Sequence, residues 1–182
     1  MPMVFLSIME TPSKFIYNPP YFEKLCPVLK QCLQGFDCND FIFRIFNNDW
    51  PDEDLRARVR HITRVLHHFL PNDFPEAAAE LVKIARELKK HFPGGSPENS
   101  FLADYVETFG IGYPDIALRT LEEITQCVNA DKAVRAFTNR YPDKAMRYLL
   151  KWSSTDSPGL RRLASEGLNT LSTNAMIDMI MV

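Results

Sequence analysis

A three-residue signature, aromatic-Pro-acid, returns four times along the chain: Trp50-Pro51-Asp52, Phe74-Pro75-Glu76, Tyr113-Pro114-Asp115 and Tyr141-Pro142-Asp143. Each copy opens a stretch with helical spacing. Proline suits the first helical position, because the N–H it lacks is one that a helix start leaves unpaired anyway. The acid beside it complements the positive end of the helix dipole, and the aromatic before it can staple onto the first turn. Two copies agree further, Tyr113-Pro-Asp-Ile-Ala-Leu-Arg-Thr-Leu and Tyr141-Pro-Asp-Lys-Ala-Met-Arg-Tyr-Leu. Successive copies begin 24, 39 and 28 residues apart, near the length of a helix pair. A unit that small cannot bury its apolar face alone, so its neighbours must stack on it.

The spacing between copies supports the same reading. Sustained period-2 alternation and Asn-Gly or Asp-Gly turns are missing, while 3.6-residue periodicity recurs from residue 19 onward. Leu55, Val59, Ile62, Leu66, Phe69 and Leu70 fall on one helical face, and Arg56, Arg60, Arg64 and His67 on the other. The predicted fold is all-α, a right-handed α-solenoid of irregular HEAT-like helix pairs (an α-α superhelix). Helices are expected over 19–33, 38–47, 52–70, 75–91, 99–109, 114–128, 131–140, 142–153 and 158–167. A single domain over 1–182 is expected, with an N-terminal extension (1–16) and a divergent C-terminal tail (168–182). The 182 residues are enough for one proper core.

No apolar run approaches the ~20 residues of a membrane span. The short apolar patch Val4 to Met9 has no basic residue before it, so neither a secretory leader nor a membrane partner is expected. The expected location is cytoplasmic. Cys26, Cys32, Cys38 and Cys127 form no C-x-x-C pair and no zinc spacing with histidine, and read as free thiols in a reducing compartment. No metal site is indicated.

With 21 basic and 23 acidic residues the net charge is −2, so bulk charge makes no case for a polyanionic partner. The distribution is uneven. From Lys132 to Arg162 eight basic residues (Lys132, Arg135, Arg140, Lys144, Arg147, Lys151, Arg161, Arg162) meet two acids, Asp143 and Asp156. On a helix over 142–153, Lys144, Arg147 and Lys151 line one side with Tyr148 among them. Ala145, Met146, Leu149, Leu150 and Ser153 are expected on the core side. Stacked repeats would add Arg119, Arg56, Arg60 and Arg64 to the basic surface. Such a stripe suits a phosphate backbone, and an idle solvated helix face accounts for the same charges. Trp152 beside it is suited either to stacking on a base or to the core.

Glycosidic cleavage needs a carboxylate placed to stabilise an oxocarbenium-like sugar or to orient water. In the basic stretch and its borders the candidates are Asp131 and Glu166. Each has a plainer role open to it. Asp131 can cap a helix beginning near Lys132, and Glu166 stands four residues after Arg162, at ion-pair spacing. The adjacent His67 and His68 point different ways and read as structural or surface residues. No Ser-His-Asp set or phosphate-cradling Gly loop is recognisable.

Several segments carry a resemblance. They are Tyr17-Asn-Pro-Pro-Tyr-Phe-Glu-Lys-Leu, Leu55-Arg-Ala-Arg-Val-Arg-His-Ile with Leu66-His-His-Phe-Leu-Pro, and Asp104-Tyr-Val-Glu-Thr-Phe-Gly. Leu121-Glu-Glu-Ile-Thr-Gln, Ala133-Val-Arg-Ala-Phe and Leu160-Arg-Arg-Leu-Ala-Ser-Glu-Gly167 follow. In this order the chain resembles the AlkC branch of the AlkC/AlkD DNA alkylation repair family, glycosylases built from HEAT-like repeats. The resemblance implies excision of small N-alkylated purines of the 3-methyladenine type from double-stranded DNA, without metal or cofactor. It maps the family's Ser-Glu-Phe-Ala-Ile-Arg-Pro-Phe segment onto Ala130-Asp-Lys-Ala-Val-Arg-Ala-Phe137, so that Asp131 takes the acidic position, one methylene short. Glu166 matches the acid of Ala-Ser-Glu-Gly. Arg135, Lys144, Arg147, Tyr148, Lys151, Trp152, Arg161 and Arg162 are then the expected DNA contacts. Lys132 and Ala136 replace an aromatic and a Pro of the pattern, and Leu168-Asn-Thr-Leu-Ser-Thr-Asn replaces a Thr-Arg-Pro-Arg-Leu-Pro-Trp-like run. A catalytically inactive module that binds DNA or a protein is the alternative. The apolar tail Met176-Ile-Asp-Met-Ile-Met-Val182 is expected to cap the solenoid or to mediate self-association.

Overall fold

The computed structural model describes residues 16–92 and 96–180, with side chains described through 174. The Val4–Met9 patch, most of the N-terminal extension and the side chains of the apolar tail lie outside the described residues. Nine α-helices, and no strand, occur among the described residues: α1 (Pro19–Cys32), α2 (Cys38–Ile45), α3 (Leu55–His67), α4 (Phe74–His91), α5 (Phe101–Phe109), α6 (Pro114–Ile124), α7 (Asp131–Arg140), α8 (Pro142–Ser153) and α9 (Pro158–Ile180). Every helix expected from periodicity is present.

The starts follow local chemistry. Asn18 Oδ1 accepts the Tyr21 N–H at 3.0 Å ahead of α1, and Asp54 Oδ1 accepts the Ala57 N–H at 2.8 Å ahead of α3, each pairing a donor that the helix itself cannot. Three of the four aromatic-Pro-acid copies open α4, α6 and α8, while Trp50–Asp52 forms a 3-10 turn before α3. The aromatics of the copies that open α4, α6 and α8 reach across repeats. Phe74 stacks on Tyr113 with centroids 5.6 Å apart, and Tyr141 Oη donates to the Ile111 carbonyl at 2.7 Å.

Packing sorts the helices into two layers. One runs α3, α5, α7, α9, each against the next, and the other runs α1, α4, α6, α8. Between them lies a continuous apolar core in which Trp152, Tyr105, Phe41, Phe101 and Phe137 are among the largest fully buried side chains. The helix expected to end at 167 continues to Ile180. No Gly or Pro follows Gly167 to stop it, and Leu168 and Leu171 pack on the core.

Two expectations are corrected. Cys26 and Cys38, read as free thiols, are joined in a disulfide, because the turn between α1 and α2 brings their Cα atoms to 5.7 Å; Cys32 and Cys127 are free. On α8, Met146, Leu150 and Ser153 face solvent, Leu150 at 58% exposure, and the core side is Ala145, Leu149 and Trp152.

Candidate nucleic-acid interface and carboxylate pair

The two candidate acids stand in the same layer. Asp131 is the first residue of α7, and Glu166 is on α9. Asp131 does not cap its helix. That role falls to Asn129, whose Oδ1 accepts the Asp131 N–H at 2.9 Å. Glu166 does not take the expected partner Arg162 of its own helix either. Arg135 Nε of α7 lies 3.2 Å from Glu166 Oε1, and Arg162 Nε of α9 lies 3.4 Å from Asp131 Oδ1. Two crossed ion pairs therefore join α7 to α9, with the Asp131 and Glu166 side chains half-buried at 23% and 32% exposure. Asp131 Oδ1 is shielded from water and accepts no hydrogen bond, so Arg162 faces it as a charge. Two negative groups and two cations thus share one face, an arrangement able to sit between a cationic reacting centre and its flanking phosphates.

A second charged cluster adjoins this face and was not singled out in the sequence. Asp104 of α5, nearly buried, accepts a bidentate pair of hydrogen bonds from Arg60 Nε and Nη2 at 2.7 and 2.9 Å. That hydrogen bonding raises the Arg60 pKa further. Lys132 of α7 lies 3.6 Å from Asp104 Oδ1 and 3.3 Å from Glu107 Oε2. The cluster borders a cavity of about 310 Å³ between α3, α5 and α7 with apolar walls from Leu55, Val59 and Ala133. Its signal is legible afterwards: Asp104 and Glu107 stand three apart on a helix whose other residues are mostly apolar.

The α8 stripe belongs to the other layer. Lys144 pairs with Asp115 and Lys151 with Glu122, the latter through both oxygens at 2.7 and 3.0 Å, all on α6. The Lys144 ammonium holds the Asp115 carboxyl below its ordinary range. Tyr148 Oη donates to the Asp115 carbonyl at 3.2 Å and accepts from Arg119 Nε at 3.4 Å. Arg119 thus joins the stripe as expected. Arg56, Arg60 and Arg64 do not, since α3 lies in the layer of α7 and α9. Arg147 is exposed on α8. Arg161 is exposed on α9 and donates to the Thr155 carbonyl at 2.9 Å. Trp152 is 0% exposed in the core, with no ring face open to a base. The structure brings Asp131, Arg135, Arg162 and Glu166 together, and separates them from Lys144, Tyr148, Lys151 and Trp152. Among the described residues no group of three or more His, Cys, Asp or Glu could hold a metal ion, and no helix is long and apolar enough to cross a membrane.

Comparison with known proteins gives the arrangement a context. No protein-family model matches the chain. The uncharacterized protein YhaZ of Bacillus subtilis (strain 168) is 33% identical over 154 residues, covering 85% of this chain and 42% of YhaZ. Among solved structures, the Pseudomonas fluorescens alkylpurine DNA glycosylase AlkC, bound to DNA containing an abasic site analog, matches with a TM-score of 0.73 at 24% identity. That match covers 85% of this chain and 42% of the AlkC chain. The chain therefore has an AlkC-like helical fold and spans less than half the length of either relative.

Proposed function

We propose, from the AlkC-like fold and the carboxylate pair it carries, that this protein binds double-stranded DNA and hydrolyses the N-glycosidic bond of small N-alkylated purines of the 3-methyladenine type. The observation that carries the reading is the crossed pairing Arg162–Asp131 and Arg135–Glu166 between α7 and α9. An N-alkylated purine is already cationic. When its C1′–N bond breaks, the electron pair neutralises the base, and no acid need assist. The sugar left behind resembles an oxocarbenium ion. One carboxylate stabilises that charge, and the other accepts a proton as water adds to C1′. Arg135 and Arg162, with the exposed Arg161, meet the flanking phosphates. The route calls on no metal or cofactor. Lys144, Tyr148, Lys151 and Trp152 fall outside this interface, on α8. The reading places the protein in the cytoplasm.

The same pairs favour a second reading, a catalytically inactive module that binds DNA or a protein, because each candidate carboxylate is already engaged by an arginine. Incubation with methylated duplex DNA separates the two. On the first reading the protein releases free 3-methyladenine, and Asp131→Asn or Glu166→Gln lowers the rate about 100-fold, the scale of losing one transition-state charge contact. Duplex binding with no base release by the unsubstituted protein would sink the glycosylase and leave the module.

A further inference from the structure

The internal repeat marks one face of α8 as a repeat junction without its partner. Aligning Tyr113-Pro-Asp-Ile-Ala-Leu-Arg-Thr-Leu with Tyr141-Pro-Asp-Lys-Ala-Met-Arg-Tyr-Leu sets Asp115 against Asp143, Leu118 against Met146 and Glu122 against Leu150. On α6 this face meets the next helix of its layer. Asp115 receives Lys144 of α8 and Glu122 receives Lys151, while Leu118, on the same helical face between them, is fully buried. α8 is the last helix of that layer among the described residues, and its Met146 and Leu150 are exposed. Solenoids normally close such an end with a polar outer face.

The other end of the stack is also open and apolar. There α1 and α2 enclose a groove of about 410 Å³, walled by Pro19, Phe22, Pro27, Ile42 and Phe46. Phe43, next in sequence to Ile42, is 80% exposed. The charge at this end is the reverse of that on α8. From Asp37 to Asp54 six acids (Asp37, Asp40, Asp49, Asp52, Glu53, Asp54) meet one base, Arg44, and Glu23 stands on the groove itself. Asp49 and Asp52 are exposed. On α8, Arg147 is exposed beside Met146 and joins no ion pair among the described residues.

We infer that the protein associates head to tail with a second copy of itself, Met146 and Leu150 of one copy entering the groove between α1 and α2 of the next. Arg147 then faces the acidic rim around Glu23. Complementary charge selects this pairing over α8 against α8, which would set basic surface on basic surface. The contact is heterologous, so each added copy leaves the same two ends exposed and the assembly grows past a dimer. It needs no glycosidic cleavage and stands apart from the glycosylase reading.

The test is sedimentation velocity of the full chain, without DNA, from about 1 to about 100 μM, the range of weak specific association. The mean mass should climb past that of a dimer as concentration rises, and should fall at about 1 M salt, where surface charges are screened. Leu150→Asp on α8 and Glu23→Arg on the groove should each weaken association about tenfold or more. Both positions are exposed, and unchanged melting temperatures check that the variants fold. The two variants mixed in equal amounts should form a dimer and stop there, because one keeps an intact groove and the other an intact α8. The inference is overturned by a monomer at every concentration. It is equally overturned by association that survives Leu150→Asp, or by a dimer that Leu150→Asp abolishes and Glu23→Arg leaves intact, which is the signature of α8 against α8.

Discussion

His67 shows how one side chain ties stability to pH. Its ring lies flat on Phe109, centroids 3.9 Å apart at 14°, and Nδ1 meets Tyr105 Oη at 2.8 Å. Burial, and then the charge of His68, push its pKa below the ordinary imidazole value. Burial pushes the Tyr105 hydroxyl up to about 12, so it stays protonated and can donate to a neutral ring. The sign follows from linkage. A depressed histidine binds its proton more weakly in the folded state than in the unfolded chain, so its contribution is present above about pH 6.5 and is lost as pH falls below that value. The melting temperature should therefore drop between about pH 7.5 and about pH 5.5. In His67→Gln that drop should shrink, although the variant starts lower for want of the stack. Parallel profiles for the two proteins would show that protonation of His67 does not matter. The sequence marked His67 as a structural or surface residue, but not its partners, because Phe109 and Tyr105 come from a helix some forty residues away.

At the scale of elements, the contact of α8 with α9 turns on Gly167. A Cβ there would stand 2.4 Å from Leu149 Cδ2, and Leu149 is fully buried with no room to swing aside. Gly to Ala inside a helix ordinarily gains about 1 kcal/mol, while overpacking a core costs about 1–3 kcal/mol. Gly167→Ala should thus lose about 1 kcal/mol net, read as a lower urea midpoint at unchanged slope. A raised midpoint would mean that the two helices part easily. The α1–α2 junction makes a separate prediction. The disulfide closes a loop with a sequence separation of 12, which is worth about 3 kcal/mol through the unfolded chain. Reductant should lower the melting temperature of the oxidised protein, and should leave that of the Cys26→Ser, Cys38→Ser double variant unmoved. Helix starts were legible in the sequence because caps and Pro at N1 are local chemistry. The inner face of α8 was not. Ala145, Leu149 and Trp152 fit a buried stripe as well as Met146 and Leu150 do, and only the positions of α6 and α9 decide between them. The length of α9 was missed for a related reason. Gly167 looks like a stop, yet it is a close-packing residue, and among the described residues only Gly35 has the positive φ typical of a helix-ending glycine.

Over the whole molecule, the question is how much of the basic charge is free to meet DNA. Read as sequence, eight cations between Lys132 and Arg162 look available. If each displaced a counterion from duplex DNA, the slope of log Kobs against log[salt] would be about −7. The fold engages five of them with carboxylates: Lys132, Arg135, Lys144, Lys151 and Arg162. The charges of those carboxylates travel with the cations, so an approaching phosphate meets a nearly neutral pair. Arg140, Arg147 and Arg161 are left, for a slope of about −3. This accounting was out of reach of the sequence, because Asp115 and Glu122 of α6 and Asp104 and Glu107 of α5 lie outside the basic stretch and reach it only through the stacking of repeats. Duplex affinity measured from about 50 to about 200 mM salt gives the slope directly. A value near −3 means that the ion pairs survive in the complex and serve mainly to join helices. A value near −7 means that binding opens them and hands the acids over to the DNA. Arg162→Ala tells which pair is concerned. It should leave a slope of −3 unchanged if Arg162 stays with Asp131, and should flatten a steeper slope by about 1 if Arg162 turns to a phosphate.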